Sequence, residues 1–160
     1  MDDKRTLKTV NSSRTEQIQI LMPEHINGSK RLFGGKLMEW IDVVAAVTAR
    51  RHCNMDVTTA AVDNLQFKSA AYVNSTVILI GQVTYVGNTS MEVRVDTYIE
   101  MLSGKRILIN RAYLVLVALD DGGHPCRVPG LLLETDEERA EWQAGERRNA
   151  LRKQRRNENF

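Results

Sequence analysis

Residues 34–49 form a run of helical period that is largely apolar and carries two acids, Glu39 and Asp42. Leu37, Trp40, Ile41, Val44, Ala45 and Thr48 fall at the spacing of one helix face. Met38, Val43, Ala46 and Val47 widen that face until little polar surface is left, so the helix is expected to be buried on most sides. Arg50, Arg51 and His52 place cations at its carboxyl end, where the helix dipole favours them. Such a helix needs a cover, and the next part of the chain supplies one. The period changes to that of strands over 57–67, 76–86, 89–101 and 107–119, and residues 14–21 alternate more loosely ahead of the helix. Strands of 11 to 13 residues exceed the usual five or six, and a twisted sheet that long can curl around one helix.

The strands differ in exposure. In 89–101, Met91, Val93, Val95, Ile99 and Met101 share one face, and Ser90, Glu92, Arg94, Asp96 and Glu100 the other, the pattern of a half-buried strand. Residues 112–119 are almost continuously apolar, as in a central strand covered on both faces. Gly87-Asn88, Ser103-Gly104 and Asp121-Gly122-Gly123 supply turn chemistry between the strands. The chain thus divides into a polar, mobile segment over 1–13, one α+β domain over 14–136, and a charged helix and tail over 137–160. At 160 residues it suits one domain with a real core.

Composition narrows the function classes. With 42% hydrophobic and 26% charged residues, the chain is neither disordered nor membrane-embedded, and no apolar run reaches the ~18 residues of a bilayer span. The amino end has no apolar core of a signal peptide, and Cys53 and Cys126 do not make a disulfide scaffold, so a cytoplasmic setting is expected. The pI of 8.6 invites a nucleic-acid reading. However, residues 147–156 hold six basic residues and no acid, and the rest of the chain has 16 basic against 20 acidic residues. That run admits two readings: a contact with phosphate on RNA, a lipid surface or a phosphorylated ligand, or a solvated helix end. The acids of 136–138 and the basic run match the dipole of one helix, and helix ends of this polarity are common.

Asp42, between Ile41 and Val43, is the most informative residue. A buried carboxylate costs several kcal/mol unless paired, hydrated or protonated, so it is either a structural acid with a partner or a functional one. Glu39 lies one turn earlier, which makes a carboxylate pair conceivable. Gly34 and Gly35 begin the same helix. They are a plain glycine turn, or they leave backbone N–H groups free to receive an oxyanion. The glycines from Gly28 to Gly35 do not make a phosphate loop, because Leu37 stands where Ser or Thr should hold magnesium. No serine lies in a nucleophile elbow, the cysteines lack metal spacing, and no metal site is expected. His25, His52 and His124 read as surface or capping residues.

The stretch from Asn27 to Asp42, NGSKRLFGGKLMEWID, resembles the signature of the hotdog-fold acyl-CoA thioesterases: an Asn, a short variable stretch, Phe-Gly-Gly, then an acid seven residues after the second glycine. Asn27, Gly34, Gly35 and Asp42 each fall on that pattern. Residues 61–67, 86–93, and 117–120 through 128–129 are similar to later pieces of the same family, in the same order. Two departures stand out: Asn74-Ser75 replaces a common Gly-Asp, and Lys30 and Arg31 sit at the entrance. The resemblance implies a hotdog domain, a long antiparallel sheet wrapped around one helix, and hydrolysis of acyl-CoA. It implies Asp42 as general base or nucleophile, Asn27 of a second copy orienting water or the thioester, and the Gly35 N–H stabilising the oxyanion. Gly34, with Gly87, Asn88, Thr89 and Ser90 of the turn, would contact the substrate. It further implies at least a homodimer, with a trimer of dimers open, and no nucleic acid, membrane or separate cofactor, coenzyme A being part of the substrate. A non-hydrolytic acyl-CoA binder or sensor of the same fold is the rival reading. A hydratase would need an acid–histidine pair near the helix start, and His25 lacks that spacing.

Overall fold

The structure, a computed structural model, describes residues 4–160. In chain order it has β1 (Leu7–Thr9), α1 (Val10–Ser13), β2 (Thr15–Ile20), α2 (Gly34–Cys53), β3 (Asp56–Phe67), β4 (Thr76–Val86), β5 (Ser90–Glu100), β6 (Arg106–Leu119), β7 (Gly130–Leu132) and α3 (Asp136–Asn157). Five strands form an antiparallel sheet of order β2-β4-β5-β6-β3, and α2 lies across one face of it, against β3 through β6. This is the hotdog arrangement that the resemblance implies, and the five strands expected from the periodicity match within one residue at each end.

Alternation explains the core. Met91, Val93 and Val95 of β5 and Ala112, Leu114 and Leu116 of β6 turn inward against Leu37, Ile41, Val44 and Ala45 of α2, and all are buried. The helix can approach because β4 carries a glycine there: a Cβ on Gly81 would collide with Thr48 Oγ1 and lie 2.9 Å from Val44 Cγ1. Thr48 is buried and returns its hydroxyl proton to the Val44 carbonyl at 2.7 Å, so it leaves no unmet donor in the core. Asn54 ends α2 in the left-handed conformation, its N–H bonded to the Arg50 carbonyl. Asn74 also has a positive φ, of 72°, so the substitution for glycine there is absorbed by the residue type that best tolerates it.

Three expectations need correction. Residues 1–3 lie outside the described residues, but the remainder of the segment read as mobile is built into the fold. β1 pairs in parallel with β7, and α1 buries Val10 and Ser13. These elements are three or four residues long, too short to show a period. Second, α2 is not covered on most sides within one chain: Met38 and Val43 stay 46% and 50% exposed. Third, His52 is not a surface residue. It is fully buried, and its Nε2–H donates to the Pro129 carbonyl at 3.0 Å, tying α2 to the segment that enters β7.

The polar face of β5 is not solvated either. Glu92 is 2% exposed, met by Arg148 and Arg152 of α3, and Asp96 is 4% exposed, paired with Arg94 and Arg111 of the sheet. Trp142 of α3 packs on Tyr85, and a Cβ on Gly145 would come within 2.7 Å of Tyr85 Cβ, so the glycine sets how closely the helix seats. The other contacts are charged. Arg148 bridges Glu92 at 2.8 Å and Glu141 at 2.6 Å, and Arg152 reaches Glu92 at 2.9 Å and Asp63 at 3.4 Å. Arg155 joins Asp63 at 3.0 Å, and Arg94 joins Glu141 at 2.8 Å. Burial works against the charge on Glu141, but Arg94, Tyr113 and Arg148 outweigh it and hold its carboxyl below the usual range. The Tyr113 hydroxyl, desolvated and bonded to Glu141, is pushed up to about 12. Half of the basic run is therefore a docking device, where a solvated helix end was the commoner expectation.

Two outcomes follow for stability. Glu92→Gln removes the charge shared by Arg148 and Arg152 and should cost about 3 kcal/mol, read from the denaturant midpoint. His52 has its pKa lowered, mainly by burial, with the Pro129 bond opposing and Lys8 adding to the fall. The unfolded chain therefore takes up this proton first as pH drops. The His52 contribution should be complete above about pH 6.5 and be lost as pH falls toward the lower folded value. Melting temperatures between about pH 7.5 and 5 should show this slope, and His52→Gln should flatten it.

Candidate active site

α2 starts without a side-chain cap. Phe33 at the N-cap is extended, and the first bonds to its carbonyl come from Lys36 and Leu37. The N–H groups of Gly34 and Gly35 accordingly have no acceptor among the described residues, and they carry the positive end of a helix of 20 residues. Asp42 follows Gly35 by seven residues, nearly two full turns, so the two share a helix face about 10 Å apart along the axis. Both line a cleft of about 340 Å³ with Met38, Glu39, Thr59 and Val62.

Asp42 is exposed in the single chain, and this corrects the expectation of a buried acid. The sheet covers the Leu37–Ile41–Val44 face, and the Met38–Asp42–Val43 stripe looks outward over the edge strand β3. Its partner is Thr59, whose hydroxyl donates to Asp42 Oδ1 at 2.7 Å. Oδ2 is left open to the cleft. Glu39 lines the same cleft but pairs with Lys36 at 3.1 Å, so no carboxylate pair forms.

Asn27 stands elsewhere, in a separate cleft of about 390 Å³ with Arg31, Leu37 and Phe67. Its Oδ1 accepts the N–H groups of Ser29 at 2.9 Å and Arg31 at 3.2 Å, closing the turn in which Lys30 has a φ of 61°. Two backbone donors aimed at one atom fix the amide orientation. Nδ2 is therefore the free end, and it can only donate. One chain does not bring Asn27 and Asp42 together.

The turn residues separate into two pairs. Arg5 clasps the carbonyls of Gly87 at 2.8 Å and Asn88 at 3.1 Å, and the Asn88 carbonyl also accepts the Val128 N–H. Thr89 and Ser90 instead line an open groove beside α3. His25 accepts the Met22 N–H at 3.0 Å and meets the Trp40 ring edge-on, a capping role as expected, and His124 sits exposed beside Asp120. Thr59 escaped the sequence reading because no spacing rule joins 42 to 59. Their contact exists only once β3 crosses the open face of α2.

Comparison with known proteins agrees with this architecture. A model of the thioesterase superfamily matches residues 30–101. The uncharacterized acyl-CoA thioester hydrolase YkhA of Bacillus subtilis is 38% identical over 91% of this chain and 84% of its own length. The acyl-CoA hydrolase of Staphylococcus aureus, solved with butyryl coenzyme A, coenzyme A and coenzyme A disulfide, superposes with a TM-score of 0.91 at 34% identity, covering 96% of this chain and 94% of that one. A hexameric acyl-CoA thioesterase gives 0.90 at 38% identity, over 94% and 97%. The chain spans 38% of the length of the mammalian cytosolic acyl coenzyme A thioester hydrolases it matches. The chain belongs to the acyl-CoA thioester hydrolases of the thioesterase superfamily. Among the described residues no helix is long and apolar enough to cross a membrane.

Thr59→Val keeps the shape of the cleft and removes the only described hydrogen bond to Asp42. Thioester turnover should fall about tenfold or more while the melting temperature moves little, which steady-state kinetics beside a thermal melt would check.

Proposed function

We propose that this chain hydrolyses the thioester of fatty acyl-CoA to free acid and coenzyme A, at sites built between two copies. The observation that carries the reading is the Asp42 carboxylate, held through one oxygen by Thr59 and open at the other, two turns from the free Gly35 N–H in a single cleft. In the proposed reaction Asp42 Oδ2 takes a proton as a water oxygen attacks the carbonyl carbon. The carbonyl electrons move onto oxygen, where the Gly35 N–H receives the charge. A donor of this kind typically lowers the barrier by about 2.7–4 kcal/mol. Collapse breaks the C–S bond, and the departing thiolate of coenzyme A takes the proton back from Asp42. Direct attack by Asp42 would pass through an anhydride instead; single turnover in ¹⁸O-water separates the two routes, since only that one leaves label in the protein.

Asn27, with only a donor free, suits the thioester oxygen or the attacking water of the neighbouring copy's site. A second copy also accounts for the half-exposed Met38 and Val43 beside Asp42. The hexameric relatives make a homo-oligomer the natural working unit. The reaction draws on no separate cofactor, and the free thiols of Cys53 and Cys126 suit a reducing cytoplasm.

Asp42→Ala should lower turnover about 10²–10⁴-fold with folding and assembly intact, and Asn27→Ala should lose most of the rate. Mixing the two inactive variants should restore about a quarter of wild-type activity, because half of random dimers are mixed and each carries one complete site. Near-normal turnover by Asp42→Ala would sink the reading. Tight coenzyme A binding without turnover by the wild-type chain would identify a binder instead.

A further inference from the structure

β3 is not a regular strand. Residues 59–67 of β3 lie against residues 110–116 of β6, two residues fewer, and the register shifts twice, between Thr59 and Ala61 and between Asp63 and Gln66. Each shift is a one-residue bulge in β3. In a regular strand Thr59, Val62 and Leu65 would alternate between the two faces of the sheet. With one extra residue between each pair, all three turn to α2 and line the cleft of Asp42. The wall that faces the carboxylate therefore exists because of the bulges.

The second bulge is held from the core. Asn64 takes a φ of 54°, and Asn110 of β6, fully buried, donates from Nδ2 to the Gln66 carbonyl at 2.6 Å. Reversing the amide would set oxygen against oxygen, so this bond fixes its orientation. Asn110 stands directly opposite Phe67. The Phe67 ring in turn lies over the start of α2, where a Cβ on Gly34 would be 3.4 Å from it. A chain of contacts thus runs from Asn110 through the bulge to the N–H groups of Gly34 and Gly35.

Core packing alone does not call for asparagine here. Ala112, Leu114 and Leu116 continue the inner face of β6, and all are buried. Asn110 Oδ1 is buried with no partner among the described residues, as is the hydroxyl of Thr97, which stands opposite it on β5. An unmet buried acceptor is a net cost that leucine would avoid. The asparagine breaks the local rule, and what it supplies in return is the bond to Gln66.

We infer that Asn110 is a positioning residue for thioester hydrolysis: it locks the second bulge of β3, and through Leu65 and Phe67 it sets the cleft wall and the backbone donors at the start of α2. The inference rests on the hydrolytic reading above. Asn110 is buried and reaches no substrate itself. Its effect falls on kcat more than on KM, because the Gly35 N–H meets the oxyanion charge only in the transition state.

The test compares two ways of removing the bond. Asn110→Leu keeps close to the volume, and Asn110→Ala leaves a gap. Both should lower kcat for butyryl-CoA about tenfold and leave KM within about twofold. Phe67→Ala should cost less in either background than it does alone, since the two residues act along one path. Thr97→Val removes the unmet hydroxyl at the same depth, and it should keep kcat and not lower the melting temperature. Amide exchange over residues 63–68, and at Lys36 and Leu37, the first bonded N–H groups of α2, should quicken in both Asn110 variants and not in Thr97→Val. An unchanged kcat in Asn110→Leu overturns the inference. A loss confined to Asn110→Ala, or shared by Thr97→Val, marks a packing role and overturns it as well. Should leucine not be accommodated, Asn110→Ala in the cycle with Phe67→Ala decides, full additivity counting against the inference. A wild-type chain that turns over no thioester defeats the reading of the reaction, and exchange at Lys36 and Leu37 then decides whether Asn110 sets the helix start.

Discussion

Everything in this fold hangs on how closely α2 can lie against β4 and β5. Gly81 removes the one side chain that would hold the helix off, and Thr48 and Val44 occupy the space. With α2 seated there, one stripe of the helix is sealed by the sheet, and the opposite stripe, with Gly35, Met38 and Asp42, looks out over β3. The carboxylate meets Thr59 only because the helix crosses the edge strand at that depth. Site geometry and core packing are thus one constraint seen from two faces of a helix.

The outer face of the sheet solves a different problem. A sheet of this length exposes a second side, and α3 covers it mainly with paired charges. Desolvating such charges is costly, and the network is acceptable because Glu92 and Glu141 each meet more than one partner. The core on the α2 side is nonspecific in its chemistry and tight in its shape. The α3 side is loose in apolar contact and specific in its pairing.

Much of this was legible in the sequence. The long strands, the central helix and its Leu37–Thr48 face follow from period alone, because each long element samples several repeats. Period cannot resolve which apolar positions meet this chain and which meet another, and so it does not give the exposure of Asp42 and Val43. The polar face of β5 read as solvated because Glu92 and Asp96 look the same whether water or arginine faces them. The burial of His52 is hidden for a similar reason: an imidazole at a helix end is ordinary on the surface, and only the Pro129 carbonyl makes it an interior residue. The pairing of Asp42 with Thr59, and the free donor of Asn27, depend on tertiary crossings and turn closure that no linear spacing encodes.

The two faces of α3, one with Arg148, Arg152 and Arg155 toward the sheet and the other with Asn149, Lys153 and Arg156 toward the groove beside it, differ by a single residue in sequence, which is about 100° of rotation around the axis. Trp142 against Tyr85 and Gly145 against the sheet set the phase of the whole helix. One residue inserted or deleted between Thr135 and Trp142 would challenge that phase. If the helix turned with a deletion, Asn149, Lys153 and Arg156 would face the carboxylates; with an insertion, the anchoring arginines would swing to the groove face. The run would keep its composition, charge and pI and lose the division of labour. In this tail the meaning of each arginine lies in its angle, which a count of charges does not contain.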